Sequence, residues 1–272
     1  MDLIFIKMAF FFYVLNIVSS FVYLKAKSEK VLLYGKISTN VGLLFHLISF
    51  ILRWMDISVL PVITLPESVS FFLIIVVCAY LYTQYFYKAF MLNLFLGLFV
   101  IIFMFFVVLT MEPSNANVDP IFKNLWFPIH VITAFIGYTF FALATFYSFS
   151  YIIHERRLKS KKPLGFLSAN FPSVNKLDEL NYKSLKLGFI FLTVGIVSGI
   201  VWANSILGRL WGWDPKEVIS VVTWFIYLLI LHLRFTKGFR GRKAALASII
   251  GFIVILISLF CVNFMSQMHM FF

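Results

Sequence analysis

One polar, tryptophan-rich stretch decides how the rest of the chain is organised: Trp202-Ala-Asn-Ser-Ile-Leu-Gly-Arg-Leu-Trp-Gly-Trp-Asp-Pro-Lys-Glu217. Long apolar runs flank it on both sides, and such runs are typical of membrane-spanning helices. The stretch is therefore predicted to be a short connection between two membrane helices. Three tryptophans and a charged Asp-Pro-Lys-Glu end are a high concentration of chemistry for so short a connection.

The end of this stretch predicts the start of a helix. Asp214 can cap the helix, Pro215 suits the first helical position, and Glu217 can reach back to the backbone N–H of the cap. The indole groups of Trp211 and Trp213 then lie just outside a helix N-terminus, where backbone donors point outward and anions are favoured. Such a surface would suit a large, flat, apolar ligand that carries carboxylates, and haem is one such ligand.

The composition excludes a soluble domain. The 272 residues are 62% hydrophobic and 12% charged, with a mean hydropathy of +0.97. Apolar runs of about the length needed to cross a membrane cover residues 3–24, 37–55, 68–87, 90–111, 128–153, 187–203, 218–235 and 244–264. We therefore expect an all-α, polytopic membrane helix bundle of about eight transmembrane helices, forming a single transmembrane domain over residues 1–272.

Membrane topology explains the net charge of +12. If the tryptophan-rich stretch lies outside and the chain crosses at each run, the inner side receives 18 of the 23 Lys and Arg residues. Basic residues near helix ends favour the cytosolic side, so this bias predicts that both termini and the tryptophan-rich stretch face outward. The basic excess needs no nucleic-acid partner to explain it.

The two cysteines are not expected to carry chemistry. Cys78 and Cys261 lie in separate apolar runs and form no Cys-x-x-Cys motif. Cysteines in such runs are usually small packing residues. Any thiol chemistry is therefore expected to come from another protein.

Two histidines are candidate ligands of one iron. His130 is predicted at the outer start of the fifth helix and His269 at the outer end of the eighth, at similar depth beside the tryptophan-rich stretch. Neutral imidazole suits iron, and two imidazoles on opposite faces of a porphyrin would give six-coordinate iron. The alternative for each is an interface histidine that is satisfied by hydrogen bonds.

Two further histidines are candidate ligands nearer the inner side. His232 lies near the inner end of the seventh helix, and an ionisable group within a span favours a functional role. At its shallow depth, the alternative is a side chain that reaches the membrane interface. His46 lies about nine residues into the second helix, which is about 13 Å at ~1.5 Å per residue. It is a candidate second inner ligand, although its depth does not match that of His232 well, and the alternative is a ligand from another protein.

Charged residues and glycines near the stretch carry weaker signals. Arg209 and Lys216 can pair with the carboxylates of haem, because an Arg fork matches a carboxylate; solvated loop charge is the alternative. Asp214 can contact the ligand, although capping alone would account for it. Gly195 and Gly199, at four-residue spacing, predict the close approach of another helix.

The segment Trp211-Gly-Trp-Asp-Pro-Lys-Glu217 resembles the "WWD" signature of the haem-handling membrane proteins of cytochrome c maturation. Its Pro-Lys-Glu ending is similar to the CcsA (ResC) branch of System II. Leu207 stands where the family usually has a further tryptophan. His130, followed by Gly137-Tyr-x-x-Phe-Ala-Leu143, resembles the family's first external haem-ligand helix, and His232 matches a membrane-embedded histidine that meets haem on its way out.

The resemblance is fairly continuous from Trp126 to His269 and implies a role in cytochrome c biogenesis. It implies that the chain carries haem b across the membrane and, with a CcsB (ResB) partner, attaches it to the Cys-x-x-Cys-His segment of apocytochrome c. The chain would then be part of a holocytochrome c synthase, with a thiol-reducing protein as a candidate further partner. The implied membrane is a bacterial plasma membrane or, alternatively, a thylakoid membrane. The predicted haem contacts are Trp202, Trp211, Trp213, Asp214 and Arg209, and the predicted iron ligands are His130, His269, His232 and His46.

Two other functions stay open at this point. A CcmC-like exporter would load haem onto a chaperone and form no thioether bond, but the Pro-Lys-Glu ending argues against it. A non-catalytic membrane subunit would regulate haem enzymes, and its histidines would be structural. A bis-imidazole absorption spectrum of the purified protein would exclude this second alternative.

Overall fold

The computed structural model describes residues 1–87, 90–113, 118–160 and 172–269, and it describes the side chains of all of these except 87, 90–93 and 261–269. The described helices are α1 Asp2–Ala26, α2 Glu29–Ile57, α3 Leu65–Tyr87, α4 Phe90–Thr110, α5 Trp126–Lys159, α6 Val174–Leu207, α7 Pro215–Thr236 and α8 Arg242–His269. A short 3-10 helix, Pro120–Lys123, precedes α5. No β-strand occurs in the described part of the chain.

Seven of these helices are long and apolar enough to cross a membrane. The remaining helix, α4, contains a shorter apolar segment, Leu94–Thr110, among the residues with described side chains. The predicted all-α, polytopic membrane fold is therefore confirmed. The outward orientation of both termini stays a prediction.

Apolar runs underestimate the length of several helices. The run 187–203 predicts the sixth helix, but α6 begins at Val174, within residues 154–186, which separate the fifth and sixth apolar runs and are expected to form an inner loop. Ser173 caps this extension by accepting a hydrogen bond from the amide of Lys176 at 3.2 Å. With 34 residues, α6 is about 51 Å long at ~1.5 Å per residue, and it exceeds the ~30 Å hydrocarbon core. Residues 161–171 of the expected loop lie outside the described residues.

The described helices group into two compact units, Met1–Lys123 and Asn124–Phe272. The first unit contains α1 to α4, and the second contains α5 to α8. The tryptophan-rich stretch therefore belongs to the second unit, and His46 belongs to the first. The expectation of a single transmembrane domain over residues 1–272 stays a prediction.

A buried ion cluster ties three helices of the first unit together. Arg53 of α2 donates from Nη1 to Oδ2 of Asp2 at 2.7 Å and from Nε to Oε1 of Glu67 at 2.6 Å. The other carboxylate oxygen of Glu67 accepts hydrogen bonds from the amides of Ile63 and Thr64, both just before the start of α3. The charges of this cluster are paired as well as buried, which is the condition under which buried charges are tolerated.

Glycines bring α5 and α6 of the second unit into close contact. A Cβ atom at Gly195 would lie 3.1 Å from the backbone nitrogen of Ala134. A Cβ atom at Gly137 would lie 3.0 Å from the backbone nitrogen of Leu192. These positions leave almost no room for a side chain, which confirms the close helix approach that the glycine spacing in α6 predicts.

A polar network fixes the end of the second unit that lies away from the tryptophan-rich stretch. Arg234 of α7 donates to Oδ2 of Asp178 at 2.8 Å and to Oδ1 of Asn181 at 3.0 Å, both on α6. Asp178 also accepts a hydrogen bond from the amide of Gly241, next to the start of α8, at 3.0 Å. The end of α7 that carries His232 is therefore held by contacts with α6 and with the residue before α8.

Candidate functional site

The imidazole of His130 donates a hydrogen bond to the backbone of α6. Its Nδ1 lies 2.7 Å from the carbonyl oxygen of Gly195. A carbonyl oxygen can only accept, so Nδ1 carries the proton. In the neutral ring the lone pair is then on Nε2, and no described residue is hydrogen-bonded to Nε2. His130 therefore has the tautomer that can bind a metal through Nε2.

Two further residues of α6 contact the same ring. The indole of Trp202 stacks on the imidazole, with ring centroids 6.2 Å apart and an interplanar angle of 16°. A Cβ atom at Gly199 would lie only 2.7 Å from Nδ1 of His130. Because Gly195, Gly199 and Trp202 are spaced by four and three residues, they lie on one side of the helix. We call these three residues the imidazole face of α6.

Asn124 belongs to this region, although the sequence pattern does not single it out. Its Oδ1 accepts a hydrogen bond from the amide of Trp126 at 2.9 Å. Its Nδ2 donates to the hydroxyl of Ser205 at 3.0 Å. Asn124 therefore connects the start of α5 with the end of α6. An Asn before an apolar run is a helix-start signal, which could have identified the first contact but not the second.

The structure confirms the helix start that the sequence predicts for α7. Asp214 caps the helix and accepts a hydrogen bond from the amide of Lys216 at 2.8 Å. Pro215 is the first residue of the helix. The Oε2 atom of Glu217 accepts hydrogen bonds from the amides of Gly212 and Asp214, at 2.6 Å and 3.3 Å. The connection over residues 208–214 is therefore fixed by the first turn of α7.

The same capping arrangement shows that one expectation was wrong. The amides at the start of α7 do not point outward to a ligand, because Asp214 and Glu217 accept their hydrogen bonds. A carboxylate ligand would therefore depend on the cationic side chains of Arg209 and Lys216. Both are exposed, and neither forms an ion pair with another described residue.

Trp211 and Trp213 do not form one flat surface. Their ring centroids lie 5.8 Å apart, and their planes are nearly perpendicular at 84°. Trp213 is 78% exposed, and its φ of 58° is in the left-handed region that bulky residues rarely adopt. Strain of this kind persists at functional sites more often than elsewhere. One indole can lie flat against a planar ligand, and the other then presents its edge.

His232 lies on the exposed side of α7. Val218, Val222, Phe225 and Leu229 are exposed on the same side, at alternating spacings of four and three residues. This exposed stripe begins in the first turn of α7, next to the tryptophan-rich stretch, and leads to His232. No described residue is hydrogen-bonded to the imidazole of His232.

His46 has the surroundings of a core residue in the first unit. It is 0% exposed. Its Nδ1 lies 3.3 Å from the hydroxyl of Tyr13, and its Nε2 lies 2.8 Å from the hydroxyl of Ser70. A metal could bind His46 only after one of these hydrogen bonds was broken. The geometry therefore supports a structural role for this histidine, and its role as an iron ligand stays a prediction.

His269 is the last described residue of α8. Its side chain lies outside the described residues, so its role as an iron ligand stays a prediction. Elsewhere in the described chain, no group of three or more His, Cys, Asp or Glu residues could hold a metal ion.

Comparison with known proteins identifies the class to which this arrangement belongs. Residues 62–269 match the sequence model of the family described as Cytochrome C assembly protein. The matched region includes His130, the whole tryptophan-rich stretch and His232. The chain therefore belongs to the cytochrome c assembly protein family, and it is an integral membrane protein of cytochrome c biogenesis.

Within this family, the chain groups with proteins named cytochrome c biogenesis protein CcsA. It is 30% identical to that of Prochlorococcus marinus (strain AS9601), over 95% of this chain and 90% of that protein. It is 27% identical to that of Heterosigma akashiwo (strain NIES-293 / 8280G21-1), over 86% of this chain and 82% of that protein. It is 32% identical to that of Prochlorococcus marinus (strain MIT 9301), but over only 62% of this chain and 60% of that protein. The resemblance to the CcsA branch is thereby confirmed.

The fold is also similar to that of a solved protein structure. The cytochrome c heme lyase CcmF superposes with a TM-score of 0.65 over 97% of this chain, at 15% sequence identity. This chain covers 50% of the length of that protein. At such low identity the likeness shows a shared arrangement of helices.

Proposed function

We propose that this chain carries haem b across the membrane and presents it on the outer side for covalent attachment to apocytochrome c. The observation that carries the proposal is the imidazole of His130, whose Nδ1 donates to Gly195 and whose Nε2 keeps its lone pair. Metal-binding histidines almost always donate their other ring N–H in this way. Membership of a cytochrome c assembly family supports haem iron as the metal that His130 binds.

At the outer site, His130 and His269 bind the iron from opposite faces of the porphyrin. The porphyrin ring is contacted by three indoles, those of Trp202, Trp211 and Trp213. The perpendicular arrangement of Trp211 and Trp213 supports one flat contact and one edge contact. Aromatic side chains provide large apolar area with a fixed geometry, which suits a planar ligand.

The haem propionates are recognised by cationic side chains. Arg209 is exposed at the start of the connection, and its planar fork can bind a carboxylate with two hydrogen bonds. Lys216 adds a point charge at the other end of the connection. The contribution of Asp214 is indirect. Its carboxylate accepts hydrogen bonds from amides in the first turn of α7 and thereby holds the connection in place.

Haem reaches the outer site along the exposed side of α7. The close packing at Gly137 and Gly195 leaves no space for a porphyrin between α5 and α6. The exposed stripe from Val218 to His232 is apolar up to the histidine and about 21 Å long at ~1.5 Å per residue. His232 provides one iron ligand near the inner end, and a CcsB (ResB)-like partner provides the other.

The chemistry at the outer site is the addition of a cysteine S–H to each vinyl group of haem. A carbon–sulfur bond and a carbon–hydrogen bond form, the π bond of the vinyl group is lost, and no external oxidant or reductant is consumed. The Cys-x-x-Cys-His segment of apocytochrome c provides the thiolates, which a thiol-reducing protein keeps reduced. This chain provides position and orientation, which alone can contribute several kcal/mol to such a reaction.

The protein works in a bacterial plasma membrane, with a thylakoid membrane as the alternative. Both termini and the tryptophan-rich stretch face the non-cytosolic side. The asymmetric distribution of the 23 basic residues supports this orientation.

Co-expression tests the proposal directly. The full chain, a CcsB-like partner and an apocytochrome with Cys-x-x-Cys-His are produced together in cells that make haem. We expect the purified chain to show a bis-imidazole absorption spectrum and the apocytochrome to keep haem after denaturation. The matched control is the same apocytochrome with both cysteines changed to serine, which should lose its haem on denaturation.

Two outcomes of this experiment contradict the proposal in different ways. A chain that is purified without colour would indicate a non-catalytic membrane subunit. A coloured chain without covalent haem on the cytochrome would indicate an exporter that loads a chaperone.

A further inference from the structure

We infer that the imidazole face of α6 sets the position and the ligand strength of His130. On this inference, Gly195, Gly199 and Trp202 are positioning residues for haem binding. The inference rests on the proposed role of His130 as an iron ligand. The direction of Nε2 is then determined by α6 as well as by the rotamer preference of His130 itself.

The carbonyl oxygen of Gly195 fixes the rotation of the imidazole ring. The Nδ1–oxygen distance of 2.7 Å is short for a hydrogen bond between neutral groups. Such a bond selects the tautomer and increases the basicity of the opposite nitrogen. The hydroxyl of Ser198 has one proton, and it lies 2.7 Å from the carbonyl oxygen of Val194 and 3.0 Å from that of Gly195. Ser198 is therefore only a minor competitor of His130 for the oxygen of Gly195.

Gly199 provides the space that the ring occupies. A Cβ atom at this position would lie 2.7 Å from Nδ1 and 2.8 Å from Cε1 of His130. Ordinary contacts between such atoms are about 3.5–4.0 Å, so a methyl group here would displace the ring by roughly 1 Å. A displacement of that size moves Nε2 away from an iron atom that other contacts hold in place.

Trp202 holds the ring from its flat side. The indole stacks on His130 and also contacts the ring of Phe127 at a centroid distance of 5.2 Å. Phe127 and His130 are three residues apart on α5, so they lie on the same side of that helix and enclose Trp202. Trp202 is also on the last turns of α6, shortly before the connection that carries Trp211 and Trp213.

A pair of matched glycine substitutions tests the inference. Gly199→Ala and Gly188→Ala are both in α6, and each inserts a methyl group 2.7 Å from a ring atom of α5. At position 199 the ring is His130, whereas at position 188 it is Phe141. The full chain is purified in detergent from cells that make haem, and haem per protein, the absorption spectrum and the midpoint potential are measured with and without added imidazole.

We expect Gly199→Ala to weaken haem binding about tenfold or more, the size of effect that contacts to a metal ligand usually have. Free imidazole should restore binding, because it can bind the iron in place of the displaced ring. Gly188→Ala should keep the haem content, spectrum and midpoint potential of the wild type. If the two variants behave alike, or if imidazole does not restore haem to Gly199→Ala, the inference is wrong.

Two further variants separate failure of this inference from failure of the proposed function. If His130→Ala keeps the wild-type spectrum, His130 is not a ligand and both proposals fail. If His130→Ala loses haem while Gly199→Ala does not, only the inference fails. Trp202→Leu removes the stacked indole without inserting atoms, so it tests the same face if Gly199→Ala does not fold. Because Trp202 is also a proposed haem contact, the deciding readout is rescue: haem that is lost because His130 is displaced should return with imidazole. A wild-type haem content, or a loss of haem that imidazole does not restore, would count against the inference.

Discussion

His46 and His130 are both membrane histidines, but their surroundings differ at one nitrogen. The ring of His46 has hydroxyl partners at both nitrogens, Tyr13 at 3.3 Å and Ser70 at 2.8 Å. The ring of His130 has a backbone carbonyl at Nδ1 and no described hydrogen-bond partner at Nε2. The sequence places both residues in membrane helices, but it does not show which of their ring nitrogens have hydrogen-bond partners. The number of satisfied nitrogens separates a histidine that stabilises a core from one that can bind a metal.

The same contrast applies to the charged residues of the two units. Arg53 in the first unit is buried and paired with two carboxylates. Arg209 in the second unit is exposed and forms no ion pair with another described residue. Polar groups whose partners are in their own unit contribute to stability, whereas unpartnered ones at the surface are available for a ligand. Substitutions of paired groups should therefore lower stability, and substitutions of unpaired surface groups should lower haem binding. The largest loss of stability is expected at Arg53.

Arg53→Ala is expected to lower the free energy of unfolding by about 3–5 kcal/mol, because it leaves two carboxylates buried without their cation. Thermal unfolding in detergent measures the change. Arg209→Ala is the matched control and should leave stability within about 0.5 kcal/mol of the wild type. If Arg53→Ala is as stable as Arg209→Ala, the first unit does not depend on its ion cluster.

Tyr13→Phe is expected to cost about 1–2 kcal/mol, since it removes one hydroxyl and leaves Nδ1 of His46 without its partner. Haem content per folded protein should not change. Unfolding in detergent and the absorption spectrum of the same sample measure the two effects together. A loss of haem at unchanged stability would move His46 from the structural to the haem-binding group of histidines.

Trp213→Gly should separate stability from haem binding in the second unit. Glycine relieves the left-handed backbone of this residue, which costs about 1–2 kcal/mol for a side chain. The substitution also loses the contact with Trp211 and increases the freedom of the unfolded chain. These effects oppose each other, so stability should change by less than about 1 kcal/mol while haem retention falls. A large loss of stability would show that the loop needs Trp213 to fold.

Ser198→Ala is expected to have the smallest effect. The single proton of the Ser198 hydroxyl has its shorter contact, 2.7 Å, with the carbonyl of Val194, and only the longer contact, 3.0 Å, competes at Gly195. The substitution removes that weak competitor, so the bond from His130 becomes slightly stronger and Nε2 becomes a slightly better electron donor. The midpoint potential of bound haem should fall slightly, because electron donation favours ferric iron. Stability should stay within about 0.5 kcal/mol of the wild type. Redox titration measures the shift, and a rise in potential would contradict the shared-acceptor geometry.

Local sequence signals predicted much of this structure. The apolar runs gave the number and order of the helices, because each run must bury its backbone polar groups within a helix. The sequence from Asp214 to Glu217 gave the start of α7, and the glycine spacing in α6 gave the close contact with α5. In each case the deciding interactions are within a few residues along the chain or depend on side-chain size alone.

Other features depend on contacts that the sequence does not record. The tautomer of His130 is set by the carbonyl of Gly195, 65 residues away, and that contact requires the register of two packed helices. The contact between Asn124 and Ser205 has the same origin. The error about free amides at the start of α7 is of another kind, since a capping box uses the donors that an anion would need.

Haem binding by His130→Ala and His46→Ala, measured on the full chain purified in detergent, tests the central claim most directly. We expect His130→Ala to lose the bis-imidazole spectrum and to regain a low-spin spectrum when imidazole is added. We expect His46→Ala to lower the free energy of unfolding by about 2–4 kcal/mol, as for a large-to-small core change. The folded variant should keep the wild-type spectrum. The reverse result, with haem lost from His46→Ala and retained by His130→Ala, would contradict the account.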